Sequence, residues 1–202
     1  MTRTIVAGVD GSPNSAAALR WAHAEAQRRG SRLLALYAWG FVRPGHAGGD
    51  HTFDPGYTTA RARAELAAFV DQALGSDAAG SIRQRASYAY PPTALLSAAD
   101  LAELLVVGAR GVGGLRGLRL GSVSRLVLHH TRRPLAVIPP IERPTVGRVV
   151  VGFDGSESAQ RALSWAADEA RRRDARLDVV QAWQVTYPVA APMAGYPVVA
   201  EA

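Results

Sequence analysis

The residues with the most chemistry to offer lie between positions 105 and 124, Leu-Val-Val-Gly-Ala-Arg-Gly-Val-Gly-Gly-Leu-Arg-Gly-Leu-Arg-Leu-Gly-Ser-Val-Ser. Gly108, Gly111, Gly113, Gly114 and Gly117 are followed by a further glycine, Gly121. Glycine lets a backbone approach a ligand closely and adopt positive φ, and successive N–H groups in such a loop form an anion-binding nest. Ser122 stands where a helix would begin, and the amides of an uncapped helix start carry partial positive charge. The chemistry on offer is phosphate binding. Its donors would be backbone N–H groups of the glycine-rich loop, those of the helix that Ser122 begins, and the hydroxyls of Ser122 and Ser124. Arg110, Arg116 and Arg119 either screen phosphate charge or stand in solvent. The segment is not a P-loop, because the Gly-Lys-Ser/Thr ending is missing; all 23 basic residues are arginine. Nor is it the dinucleotide fingerprint, which belongs after the first strand with an acidic residue about 20 positions on.

Such a loop works only if regular elements hold it. Residues 4–9 are apolar and β-branched and end in Asp10-Gly11-Ser12, which reads as a buried strand and a turn. Ser12-Pro13 opens a helix that runs to Gly30, with serine as N-cap and proline in the first turn. Strands are predicted at 32–39, 81–88, 104–107 and 135–138, and helices at 57–74, 91–99 and 122–130, with a long loop at 40–56. Alternating strands and helices imply a mostly parallel sheet covered on both faces. Ligands bind such sheets beyond the carboxyl ends of the strands, where strand order reverses. Asp10-Gly11-Ser12 and the loop from Gly108 occupy such positions.

The chain also repeats itself. Residues 5–44 realign without a gap on 149–188. Gly8, Asp10, Gly11 and Ser12 recur as Gly152, Asp154, Gly155 and Ser156; Trp21, Glu25, Arg28, Arg29 and Trp39 recur as Trp165, Glu169, Arg172, Arg173 and Trp183. The expected organisation is a first domain at 1–140, a linker at 141–146 and a second, incomplete β-α-β unit at 147–202. The second copy has no glycine-rich loop, so it is not expected to bind a nucleotide by itself. Trp21 and Trp165, each on an apolar helix face, are expected in the core.

With Val-Asp-Gly-Ser, Ala-Leu-Arg-Trp-Ala, Leu-Leu-Val-Val-Gly and the spacing Gly108-x2-Gly111-x9-Gly121-Ser122 in view, the chain resembles a universal stress protein of the ATP-binding subgroup. The repeat resembles the opening of a second such domain, as in tandem members. The resemblance implies a five-stranded parallel sheet of order 3-2-1-4-5, a Rossmann-like fold of the adenine-nucleotide α-hydrolase type. It implies ATP, with Mg, as the ligand. Gly8 and Asp10 would lie near ribose and phosphates, the backbone of Ala38 and Trp39 at the adenine edge, and Gly108 to Gly114 with Gly121 to Ser124 around ribose and phosphates. Asp10 either helps hold a divalent metal or caps its turn. The implied role is a nucleotide-dependent sensor or regulator in stress response, with at most slow ATP hydrolysis. An ATP-hydrolysing enzyme and an interaction module without nucleotide are the alternatives.

Composition narrows the partners. The net charge of +6 comes from arginines scattered over helix ends, with no aromatic-interleaved basic stripe, so nucleic acid is not expected. No run approaches the roughly 18 apolar residues of a membrane span, and the N-terminus lacks a signal-peptide core; with no cysteine, a cytoplasmic protein is expected. His46, Asp50, His51 and Asp54 share a loop but fit no compact metal spacing. The apolar strand Leu135–Ile138 should lie at a sheet edge, which invites pairing with a second copy in a homodimer.

Overall fold

Thr4–Val9 is apolar on alternate residues of both faces, which suits a strand covered from two sides. It forms β1, the middle of a five-stranded parallel sheet. The structure is a computed structural model that describes residues 3–40, 57–111, 120–140 and 147–182. The chain divides into two compact units, Met1–Arg143 and Pro144–Ala202.

In the first unit, α1 (Pro13–Arg29), β2 (Arg32–Ala38), α2 (Thr59–Leu74), α3 (Ser76–Ser81), β3 (Arg83–Ser87), α4 (Pro91–Ala99), β4 (Leu104–Gly108), α5 (Ser122–His130) and β5 (Leu135–Ile138) follow β1. The strand order is β3-β2-β1-β4-β5, as the resemblance implies. Ile5 lies beside Leu33 and Leu104, and Ala7 beside Ala35 and Val106. Those six side chains pack with Ala18, Leu19, Ala22 and Ala26 of α1 and Leu66 and Val70 of α2. The intervening residues Val6, Leu36, Leu105 and Val107 face the other way, against Ala94, Leu95 and Ala98 of α4 and Val127 of α5. The connections change face between β1 and β4, so the reversal of strand order lies there.

The predicted helix signals act as expected. The Ser12 hydroxyl accepts from the Ser15 amide, and Pro13 occupies the first turn of α1. Gly30 takes the left-handed conformation at φ 61°, which lets the Ser31 amide return to the Ala26 carbonyl at 2.9 Å. The helix expected at 57–74 ends at Leu74, where Gly75 turns at φ 82°, and a six-residue helix that was not expected, α3, follows. The third strand is shorter than expected, at Arg83–Ser87.

The second unit repeats the opening: β6 (Arg148–Gly152), α6 (Glu157–Arg172) and β7 (Arg176–Val180), with β6 and β7 parallel. Ser156 caps α6 through the Ala159 amide, as Ser12 caps α1. Asp174 stands where Gly30 stood and holds φ 47°, a conformation Asp tolerates better than most residues. Trp165 is 41% exposed, against the core expectation, whereas Trp21 packs on the core.

A buried ion cluster ties α1 together. Glu25 is fully buried and pairs with Arg28 and Arg29, one turn further on; Glu169 does the same with Arg172 and Arg173 in α6. Removing one partner of a buried pair leaves the other charge uncompensated, at about 3–5 kcal/mol. Glu25→Ala is therefore expected to destabilise the first unit by about 3 kcal/mol in a denaturant titration. A loss below about 1 kcal/mol would show that the arginines relax into water at no cost.

Candidate functional site

Three strand ends meet the expected site, and each is fixed by its own local chemistry. At the end of β1, the Asp10 carboxylate accepts through Oδ1 from the Ser12 amide at 3.1 Å and the Ser12 hydroxyl at 2.6 Å. The Asp10 amide donates to the Ser15 hydroxyl at 3.3 Å. Of the two roles open to Asp10, the turn cap is thus present, made by Oδ1, and Gly11 completes the turn at φ 81°. Oδ2 faces the β4 loop: a Cβ on Gly111 would stand 2.2 Å from it. In the second unit Asp154 makes the same turn with the Ser156 amide at 2.9 Å. The Ser156 hydroxyl, and then its amide, hold the Asp154 carboxyl below its ordinary value.

At the end of β4, the backbone is anchored group by group. The Gly108 carbonyl accepts from the Ser124 hydroxyl at 2.7 Å. The Ala109 amide donates to the Ile138 carbonyl, and the Ala109 carbonyl accepts from the Gly121 amide, both at 2.8 Å. The Arg110 carbonyl accepts from the Asn14 side chain at 3.1 Å. A Cβ at Gly108 would come within 3.0 Å of the Asn14 backbone, so α1 and the loop touch main chain to main chain. Two expected phosphate donors are reassigned by this geometry. Ser124 is buried and its hydroxyl proton engages Gly108, and the Gly121 amide engages Ala109. Ser122 is exposed at the first position of α5, which carries no side-chain cap. The first helical bond there runs from the Arg125 amide to the Gly121 carbonyl, so the amides of Ser122, Val123 and Ser124 precede it. Val112, Gly113, Gly114, Arg116 and Arg119 lie outside the described residues, as does the His46–Asp54 loop.

At the end of β2, Ala38 closes the strand and the Trp39 amide donates to the Ser87 carbonyl at 3.0 Å. That amide is committed to the sheet, so a base edge at this point would meet a carbonyl or the indole. The Trp39 ring packs against Tyr57 and Tyr88, with centroids 5.1 and 4.6 Å away, and its buried Nε1 has no hydrogen-bond partner. Gly8, expected near the ribose, fills a packing role: a Cβ there would lie 2.8 Å from Leu95.

Between the ends of β1 and β2 and the flank of α2 lies a cavity of about 110 Å³, lined by Val9, Asp10, Gly11, Tyr37, Glu65, Leu66 and Phe69. Tyr37, Tyr57 and Glu65 were not among the expected site residues. The sequence signal that could have found Tyr37 is its place between Ala35 and Trp39 on one face of β2. Nothing local marks Tyr57 or Glu65, which reach the site only through the packing of α2. The phenol of Tyr57 donates to Glu65, lies 3.1 Å from the Tyr37 hydroxyl and has Arg61 over its ring at 5.1 Å. Burial first, and the bond to Glu65 second, raise the Tyr57 phenol well above its ordinary pKa, so it keeps its proton at neutral pH. Among the described residues, no three His, Cys, Asp or Glu side chains group so as to hold a metal ion, and no helix is long and apolar enough to cross a membrane.

The chain is similar to known proteins. The universal stress protein family model matches residues 1–139 and 145–202. Universal stress proteins of Mycobacterium bovis and Mycobacterium tuberculosis are each 32% identical to this chain, in alignments that cover 93% of it and 65% of the relative. The chain thus spans about two thirds of the length of these relatives. A universal stress protein solved in complex with cAMP is 28% identical, with a TM-score of 0.50 over 69% of this chain and 98% of that one. A universal stress protein of Archaeoglobus fulgidus shares the fold over 88% of this chain and 66% of its own, at 22% identity and a TM-score of 0.63. Two matched segments, a sheet of order 3-2-1-4-5 and an Asp-Gly-Ser turn facing a glycine loop agree on one conclusion: the chain belongs to the universal stress protein family.

Proposed function

We propose that the first unit binds one adenine nucleotide, ATP with Mg, and that the protein acts as a nucleotide-dependent sensor or regulator in stress response. The observation that carries this reading is the start of α5. Its amides lack a side-chain cap, and it is held against the Gly108–Gly111 turn by the Gly121–Ala109 bond, at the reversal of strand order. An anion is the natural complement of such a helix start. The universal stress protein solved with cAMP, a nucleotide carrying adenine and phosphate, supports the reading. Phosphates would meet the amides of Ser122, Val123 and Ser124 and the Gly111 turn. Mg keeps several of its own waters and binds largely through phosphate oxygens; with Oδ1 held by Ser12, the Asp10 oxygen that would face it is Oδ2.

The domain reading follows the same line: a nucleotide-binding domain at 1–140, a linker at 141–146 and a second unit at 147–202 that binds none. Among the described residues, β5 has a hydrogen-bonded neighbour on one side only, and we place the contact of a homodimer along Leu135–Ile138. The proposed setting is the cytoplasm.

Calorimetric titration with ATP-Mg is expected to give one site per chain. At a hundredfold excess over Kd the protein should gain about 2.7 kcal/mol of stability. Absence of both heat and stabilisation at millimolar ATP-Mg would overturn the reading.

Gly111 and Gly121 should respond differently to a side chain. A Cβ at Gly111 must displace Asp10 Oδ2, whereas one at Gly121 meets its nearest atom at an ordinary 3.4 Å. Gly111→Val is expected to weaken ATP binding more than tenfold, since 1.4 kcal/mol is about a factor of ten and the substitution disturbs both loops. Gly121→Ala should keep the melting temperature of the parent. Unchanged ATP affinity in Gly111→Val would place the cradle elsewhere.

A further inference from the structure

The cavity beside Asp10 measures about 110 Å³, well below the roughly 300–1,000 Å³ of sites that hold a whole drug-sized ligand. It suits one planar ring system. Leu66 and Phe69 form apolar wall, and the polar side chains on the wall are Asp10, Tyr37 and Glu65.

The direction of the hydrogen bonds fixes what this wall offers. An ionised carboxylate only accepts. The Tyr57 phenol donates to Glu65 Oε2, so towards Tyr37, 3.1 Å away, the Tyr57 oxygen is the acceptor. The Tyr37 proton is thereby turned toward Tyr57, and the Tyr37 oxygen keeps acceptor capacity. Arg61 steadies the far end through Glu65 Oε1 at 3.0 Å. Tyr37 and Glu65 therefore present acceptors, and Asp10 adds a carboxylate at the edge of the wall, with Oδ1 held by Ser12 and Oδ2 turned to Gly111. A ring bearing an amino group matches them; a ring bearing an oxo group sets oxygen against oxygen.

We propose that the Tyr37–Tyr57–Glu65 chain, with Asp10, reads the amino group of a 6-aminopurine and rejects the 6-oxopurine. The inference rests on the nucleotide reading above and adds to it the residues that choose the base. Tyr37 and Glu65 face the cavity. Tyr57 acts through Tyr37 and is a positioning residue.

The test compares ATP with inosine triphosphate, which carries an oxo group at the same purine position, by calorimetry on the full chain. The unaltered protein is expected to prefer ATP about tenfold or more, the scale of one unsatisfied polar contact. Tyr57→Phe keeps the ring and releases the Tyr37 hydroxyl to rotate and donate. It should retain ATP within a few-fold, tighten inosine triphosphate and bring the ratio toward one. Glu65→Ala removes an acceptor of the wall as well as the end of the chain, so it should weaken ATP and lower its preference over inosine triphosphate, and melting curves of both variants report whether the fold is kept. Equal affinity of the unaltered protein for the two nucleotides would overturn the base reading and leave the nucleotide site standing. Failure to bind either would overturn both. A Tyr57→Phe variant that weakens both nucleotides equally, with the ratio unchanged, would reduce the chain to a tether for α2 and overturn the inference.

Discussion

Two loops on either side of the sheet's reversal point lie closer together than side chains on both would permit. Gly108 meets the main chain of Asn14 and Gly111 meets the carboxylate of Asp10, in each case at a distance that a Cβ could not share without displacing its neighbour. The rest of the site depends on this approach. It brings the Asn14 side chain onto the Arg110 carbonyl, which orients the turn after β4. The same turn presents the Ala109 carbonyl to the Gly121 amide, which sets where α5 begins. The N-terminus of α5 is thus positioned from α1, through a main-chain contact at Gly108 that is tighter than a side chain ordinarily makes.

The repeat isolates what the local sequence can and cannot do. Asp-Gly-Ser makes the same turn twice, with glycine at φ 81° and 84°, and each serine caps the helix that follows. These features depend on residues within one turn of each other, and they recur wherever the residues recur. Burial behaves differently. Val6 is 1% exposed in β1, but its counterpart Val150 is 56% exposed in β6; Leu36 and Val180 differ in the same way, at 1% and 53%. In the first unit α4 and α5 cover that face, and no described helix of the second unit does so. A strand's pattern states which residues prefer burial, but the cover comes from distant segments.

The same division explains how far the site was legible. The strands β1, β4 and β5 were readable as short apolar runs, and the start of α5 as a serine after glycine. The two glycines of the loop were readable as close approaches, although the partners, Asn14 and Asp10, lie almost a hundred residues away. Ser124 shows where such reading fails. Its place one turn into a helix beside glycine suggests a ligand, yet it faces back onto Gly108 and is buried. Which side of α5 faces the sheet decides that, and it is a tertiary fact. Trp165 fails for the same reason, because an apolar helix face is buried only if something packs on it. The Tyr37–Tyr57–Glu65 chain was invisible because Tyr37 comes from β2 and the other two from the segment that opens α2, and no short motif joins them.

The two ends of the site offer opposite chemistry. Around the start of α5 the groups are donors, backbone amides with partial positive charge. Around the cavity between β1 and α2 the polar side chains are acceptors, two carboxylates and a phenol oxygen. A small molecule that satisfies both must carry acceptors at one end and donors at the other. A nucleotide with an exocyclic amino group has that polarity; an inorganic anion has only the first half of it, and a cation only the second. Asp10 stands at the junction, with Oδ1 held by Ser12 and Oδ2 turned to Gly111. Its charge favours a neutral or amino-bearing group on its cavity side and repels a phosphate that strays from the helix. In the proposed site, the carboxylate that closes the turn would therefore also set the direction in which the nucleotide lies.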